Sequence, residues 1–183
     1  MTGRHWITSI AAAALIGLTA ATARACGPEI EIRFMEASGG DIFIISNVSQ
    51  EPWALASLSI HLRGSMGHLI FDTEDGGPGY SMPQQFGAVD NEVGLVAEPV
   101  VGDGDEEVRL QFRDFGPGKS FMFVIDVDDR LELSDFGQAV ISGTEIQGAG
   151  GNAVLTQGGD TKSNAEGRFE TDGRARLRGG LCV

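Results

Sequence analysis

The stretch Ala54-Leu55-Ala56-Ser57-Leu58-Ser59-Ile60-His61-Leu62-Arg63 decides the fold class. In it Ala54, Ala56, Leu58, Ile60 and Leu62 alternate with Ser57, Ser59, His61 and Arg63. Successive side chains of a strand point to opposite faces, so a period of two predicts a strand with one face on a core and the other in water. Upstream, Ile30, Ile32 and Phe34 alternate with Glu29, Glu31 and Arg33; downstream, Val108, Leu110 and Phe112 alternate with Arg109, Gln111 and Arg113. Residues 41–46 and 121–127 are more uniformly apolar, as central strands are.

Turn signals separate these runs: Ser38-Gly39-Gly40, residues 75–79, residues 101–105, Gly116-Pro117-Gly118 and residues 148–151. Near the C-terminus, Asp172-Gly173 between Arg168-Phe169-Glu170 and Ala175-Arg176-Leu177 predicts a hairpin. No window after residue 25 sustains the i, i+3, i+4, i+7 apolar pattern of a helix. The expected fold is therefore all-β: an antiparallel two-sheet β-sandwich, with jelly-roll and immunoglobulin-like topologies both open. Leu58, Ile60, Leu110, Phe112, Phe123 and Ile125 should share its core, and residues 148–167 read as a long loop flanking one strand around 153–156.

The chain has 183 residues, 13 Lys+Arg against 26 Asp+Glu, and a formal charge of −13. That length fits a single domain, and a surface so anionic argues against nucleic acid, whose phosphates need cationic contacts. Residues 1–25 read as an export signal: Arg4 and His5, then a largely apolar run over 7–21, then Ala23-Arg24-Ala25 as the small-x-small cleavage pattern. The apolar run is too short to span a bilayer of about 30 Å, so no transmembrane segment is expected after cleavage. Residues 26–183 then form the mature domain, secreted or periplasmic.

Two readings compete for Cys26, which follows the cleavage pattern directly. Lipid attachment would want a Leu three residues upstream and small residues between, whereas this chain has Ala23, Arg24 and Ala25. The simpler reading pairs Cys26 with Cys182, the only other cysteine, in a disulfide that joins the two ends of an exported domain. Closing so long a loop is worth about 5 kcal/mol on the chain-entropy model.

The middle of the chain carries an ordered series of phrases. Ser46-Asn47-Val48-Ser49 is followed by Leu69-Ile70-Phe71-Asp72-Thr73, Gly76-Gly77-Pro78-Gly79 and Gly102-Asp103-Gly104-Asp105. Then come Asp114-Phe115-Gly116-Pro117-Gly118, Phe123-Val124-Ile125-Asp126-Val127-Asp128 and Ser142-Gly143-Thr144-Glu145-Ile146. This order resembles the domain of secreted bacterial proteins similar to the core protein of sponge aggregation factors. The resemblance implies an extracellular β-sandwich with an adhesive or matrix role, often associated with calcium. Aggregation-factor proteins are long and multidomain, whereas this chain reads as one domain without repeats.

The residues themselves point to a hard cation. Asp126 and Asp128 are two apart on a strand and share a face; Asp72 with Glu74 and Asp75, and Asp103 and Asp105 with Glu106 and Glu107, lie in acidic loops. Ca²⁺ takes six to eight oxygen ligands, and loops at one end of a sandwich can gather them, so Asp126, Asp128, Asp72, Asp103 and Asp105 are the candidate ligands and Ca²⁺ the candidate cofactor. A solvated acidic face would look the same in sequence. No EF-hand loop is present. His61 and His68, with nearby serines, make no recognisable catalytic context, and two histidines after residue 25 are too few for a zinc site. Trp53 reads as a core or edge plug and not a ligand platform, and Asn47-Val48-Ser49, formally a glycosylation sequon, as a turn. The expected role is non-enzymatic: an adhesive or binding domain meeting a glycan or protein partner through Ca²⁺-bearing loops. The alternative is a polysaccharide hydrolase working through paired carboxylates.

Overall fold

The computed structural model describes residues 27–80 and 82–180. Residues 1–25, which read as an export signal, and Cys26 and Cys182 lie outside the described residues. Ten strands follow one another: β1 (Glu29–Met35), β2 (Asp41–Asn47), β3 (Ala54–His61), β4 (Ile70–Asp72), β5 (Gly87–Ala88), β6 (Glu107–Gln111), β7 (Ser120–Asp128), β8 (Gly150–Gln157), β9 (Thr161–Arg168) and β10 (Arg174–Gly179). The one helix among the described residues, α1 (Gly143–Ile146), is a single turn between β7 and β8, capped by Ser142 and Glu145 in a reciprocal capping box.

All pairings are antiparallel, as the alternation implies. They run as one path, β4-β7-β2-β1-β10-β9-β8-β3-β6, with β5 on β7, where two separate sheets were expected. The two ends of that path approach each other. Phe71 N–H donates to the Asp105 carbonyl at 2.9 Å, and Gly104 N–H donates to the Phe71 carbonyl at 2.9 Å, so β4 bonds to the segment that leads into β6. The sheet is thereby nearly closed into a barrel, which leaves little free edge to template aggregation.

Inward positions fill that barrel. Leu58, Ile60, Leu110, Phe112, Phe123 and Ile125 lie together in one core with Ile30, Ile32, Phe43 and Leu177. Phe43 and Phe123 stack with ring centres 5.0 Å apart, Phe34 meets Phe43 edge-on at 5.2 Å, and Phe112 meets Phe121 edge-on at 5.3 Å. Offset and edge-on pairs of this kind add about 0.5–1.5 kcal/mol each beyond their buried area. Trp53 plugs the core near the β2–β3 connection. Beside it Asn47 is buried, donating to the carbonyls of Trp53 (2.7 Å) and Phe115 (2.9 Å) and accepting from Ser49 N–H, so the amide is a structural pin of the turn.

Two local expectations are corrected. The register between β3 and β8 shifts between Leu55 and Ser57, so Leu55 turns inward and Ala54 and Ala56 do not. An extra residue in one strand reverses the alternation beyond it. Residues 148–167 are not a long loop but most of the β8–β9 hairpin. β9 lacks a visible apolar face because its inward side is close to other chain: a Cβ on Gly167 would lie 2.2 Å from the Arg176 carbonyl oxygen. Only small residues fit there, and small residues carry little hydrophobic signal. The hairpin around Asp172-Gly173 forms as predicted, with Gly173 at φ +72°.

Candidate metal centre

β7 explains why a hydrophobic strand ends in acid. Its inward residues Phe121, Phe123, Ile125 and Val127 fill the core, while Asp126 and Asp128 take the outer face. β4 pairs with that end of β7, placing Ile70 opposite Asp128 and Asp72 opposite Asp126. One carboxylate oxygen from each of Asp72, Asp126 and Asp128 lies within 4.8 Å of the other two. Two oxygens bound to one Ca²⁺ at about 2.3–2.6 Å each can be no more than about 5 Å apart, so the three fit a common ion.

The site is closed over by the chain that leaves β4. Gly79 lies so close to Asp72 that a Cβ there would sit 2.2 Å from the carboxyl carbon, and a Cβ on Gly77 would sit 1.6 Å from Asp103 Oδ2. Neither glycine adopts a positive φ, whereas Gly76 does at +81°. Residues 77 and 79 are therefore glycine for close approach to carboxylates and not for a turn. The same strap donates Tyr80 N–H to Asp128 Oδ2, while Thr73 N–H donates to Asp103 Oδ1 at 2.9 Å.

Burial without a counter-charge is the site's main electrostatic feature. Asp72 is 2% and Asp128 0% exposed, and no Lys or Arg forms an ion pair with Asp72, Asp126 or Asp128 among the described residues. Asp72 Oδ1, Asp126 Oδ2 and Asp128 Oδ1 are buried with no hydrogen-bond partner. Burial pushes Asp72 up to about 7, helped by hydrogen bonding with Asp103 and by the charge on Asp128. Burial likewise raises Asp126 to about 7, helped by Asp128 and Asp72. Asp128 is raised by burial, against the pull of the Tyr80 amide. Unpaired buried carboxylates are costly, so the cluster must be relieved by protons or by a cation.

The five candidate ligands do not all converge. Asp72, Asp126 and Asp128 come together, and Asp103 stands in hydrogen-bond range of Asp72 beneath the strap. Asp105 instead turns into its own loop, exposed, accepting Gly102 N–H on Oδ2 at 2.8 Å.

Nearby acids that the sequence reading passed over have protein partners. Asp41 is buried with Oδ1 accepting from Ala37 N–H and Oδ2 from Val127 N–H; burial, then the charge of Glu36, pushes it up to about 9. Its sequence signal is an acid at an inward position of an otherwise apolar strand. Glu145 accepts from Ser134 Oγ and from the amides of Asp135 and Ser142. Burial pushes it up, but these bonds outweigh burial and hold it below the usual range. The Ser142-x-x-Glu145 spacing is the sequence signal of this capping box.

No family model, no curated protein and no solved structure matches this chain.

Proposed function

We propose that this chain is an exported, non-enzymatic binding domain whose fold is completed by one Ca²⁺ held by Asp72, Asp126 and Asp128, and that it meets a glycan or protein partner outside the cytoplasm. The observation that carries the reading is that Asp72, Asp126 and Asp128 each bury a carboxylate oxygen without a partner and each bring a carboxylate oxygen within 4.8 Å of those of the other two. An all-oxygen, anionic donor set suits a hard cation, and thiol- and imidazole-seeking metals find no ligand in it. Backbone carbonyls of the glycine strap, or water, would supply the remaining ligands. A flexible, irregular cage of this kind favours Ca²⁺ over Mg²⁺, which demands near-octahedral geometry and holds its waters. The ordered phrases that resemble aggregation-factor core proteins, and the signal-like N-terminus, support an extracellular setting.

Paired carboxylates also serve glycoside hydrolysis, the second reading of the sequence. The burial of Asp72 and Asp128 under the strap favours an ion over a sugar ring at this place. The deciding experiment is calorimetric titration of the metal-stripped chain with CaCl₂, beside a thermal melt. Saturable binding at one site with a rise in Tm, both lost in Asp126→Asn/Asp128→Asn, is expected. No heat and no shift would overturn the proposal.

A further inference from the structure

A second surface, separate from the carboxylate cluster, has the chemistry of a ligand trough. It lies on the outer face of β3 and β8, where Ser57, Ser59, Asn152 and Val154 are all short. The flanking strands carry longer side chains. One register row crosses the whole feature: Arg109 of β6 faces Ser59, Ser59 faces Asn152, Asn152 faces Glu166 of β9, and Glu166 faces Arg178 of β10. Short residues on two central strands between long ones on either side make a depression, here a cleft of about 780 Å³. It continues past Asn152 and Glu166 to His61 and Arg168. His61 lies over Gly150, where a Cβ would be 2.6 Å from its Cε1.

The charge of this trough differs from that of the protein. Along its length the acids are Glu106, Glu107 and Glu166, and the bases are Arg63, Arg168 and Arg178 with Arg109 on the β6 wall. Arg109 is bonded to Glu107 at 2.6 Å, so the trough is close to neutral in a chain of formal charge −13. Several of these charges are already engaged: Arg63 with Glu106 at 3.3 Å, Arg178 with Glu29 at 3.5 Å, and Arg168 with the Gly148 carbonyl at 2.9 Å. A polyanion finds only one base in excess here, and an apolar peptide finds no aromatic or large aliphatic anchor. The floor and walls instead offer the hydroxyls of Ser57 and Ser59 and the amides of Asn152 and Asn164, which both donate and accept. None of these four bonds its side chain to another described residue. A ligand dense in groups that also donate and accept, and without charge, complements them.

We propose that the trough over β3, β8 and β9 is a binding site for a neutral, hydroxyl-rich polysaccharide chain lying along the strands. It rests on the proposed extracellular setting but not on the cation. With no aromatic ring to stack on, binding depends on hydrogen bonds and is weak for a short fragment, strengthening with chain length.

Affinity electrophoresis of the full chain through gels containing a neutral glucan, mannan or galactan, or heparin, tests this, with each gel run in CaCl₂ and in EDTA. Retardation by at least one neutral polymer in both buffers is expected. Asn152→Ala/Asn164→Ala, two exposed positions that leave the core untouched, should weaken it roughly tenfold, the loss of two hydrogen bonds. Equal retardation of the native chain in CaCl₂ and in EDTA separates failure of the trough from failure of the cation site. Retardation by heparin alone, by no polymer, only in CaCl₂, or equally in the Asn152/Asn164 variant would overturn the assignment.

Discussion

Asp72 and Asp126 stand directly opposite each other across the β4–β7 pair, two acids in a position where sheets ordinarily set an apolar or oppositely charged couple. Like charges facing one another across a ladder destabilise it, and Asp128 beside them adds a third carboxylate. Such a register persists only if protons or a cation neutralise it.

Neutralising the cluster genetically should therefore stabilise the metal-free protein. Asp126→Asn/Asp128→Asn is expected to raise Tm in EDTA by several degrees while removing any response to CaCl₂. In the native chain, Ca²⁺ at one hundred times Kd adds about 2.7 kcal/mol, with roughly 2–4 °C of Tm per kcal/mol for a domain of this size. MgCl₂ should do less. Differential scanning calorimetry in the three conditions is the check, and equal shifts with both metals would contradict a calcium site.

The metal-free protein should lose stability as pH rises. Asp72 and Asp126, at about 7, and Asp41, at about 9, lie above the roughly 3.9 of an aspartate in an unfolded chain. Between those limits the folded state holds protons that the unfolded state has released, so the slope of stability against pH is negative. Each fully linked group contributes about 1.4 kcal/mol per pH unit. The fall runs from near pH 4 to 7 for the pair and continues to 9 for Asp41, which also feels the charges of Glu36 and Asp126. Urea unfolding in EDTA across that range measures it. Asp41→Asn should flatten the alkaline part, and saturating Ca²⁺ the part owed to the cluster.

Gly77→Ala and Gly79→Ala should each damage the site although both backbones suit any residue. The new methyl would fall 1.6 Å from Asp103 Oδ2 in one and 2.2 Å from the Asp72 carboxyl carbon in the other, so strap or carboxylate must shift. A loss of about 1–3 kcal/mol, typical of overpacking, is expected together with weaker Ca²⁺ binding by calorimetry. Gly39→Ala, which meets open space at an ordinary φ, is the control and should change stability by less than about 0.5 kcal/mol. Identical behaviour of the three variants would mean that the strap does not crowd the carboxylates.

The segments next to the two cysteines lie side by side. Glu29 pairs with Arg178, Gly179 N–H donates to the Pro28 carbonyl at 2.9 Å, and a Cβ on Gly27 would be 2.3 Å from the Gly180 carbonyl oxygen. Peptide mapping, without reductant, of the protein expressed with residues 1–25 intact should recover Cys26 joined to Cys182, with Cys26 at the mature N-terminus. Reduction should cost about 2–5 kcal/mol of stability. Two free thiols, or a lipid on Cys26, would falsify this.

What the sequence determined by itself was local. Alternation over Ala54–His61 and Glu107–Gln111 named strands, because a strand's two faces are set by its own backbone. The same rule put Asp126 and Asp128 on one face, and Asp172-Gly173 marked a turn by its own chemistry. β9 escaped notice because Gly167 is small for a reason that lies on β10, in the Arg176 carbonyl and the Leu177 side chain. Only the tertiary structure decided that Asp72 faces Asp126, that Asp105 turns away, that Gly77 and Gly79 rest on carboxylates, and that the strands run as one nearly closed sheet. Those facts depend on which distant segments pair and in what register. A one-residue slip would change every neighbour while leaving each strand's own pattern intact.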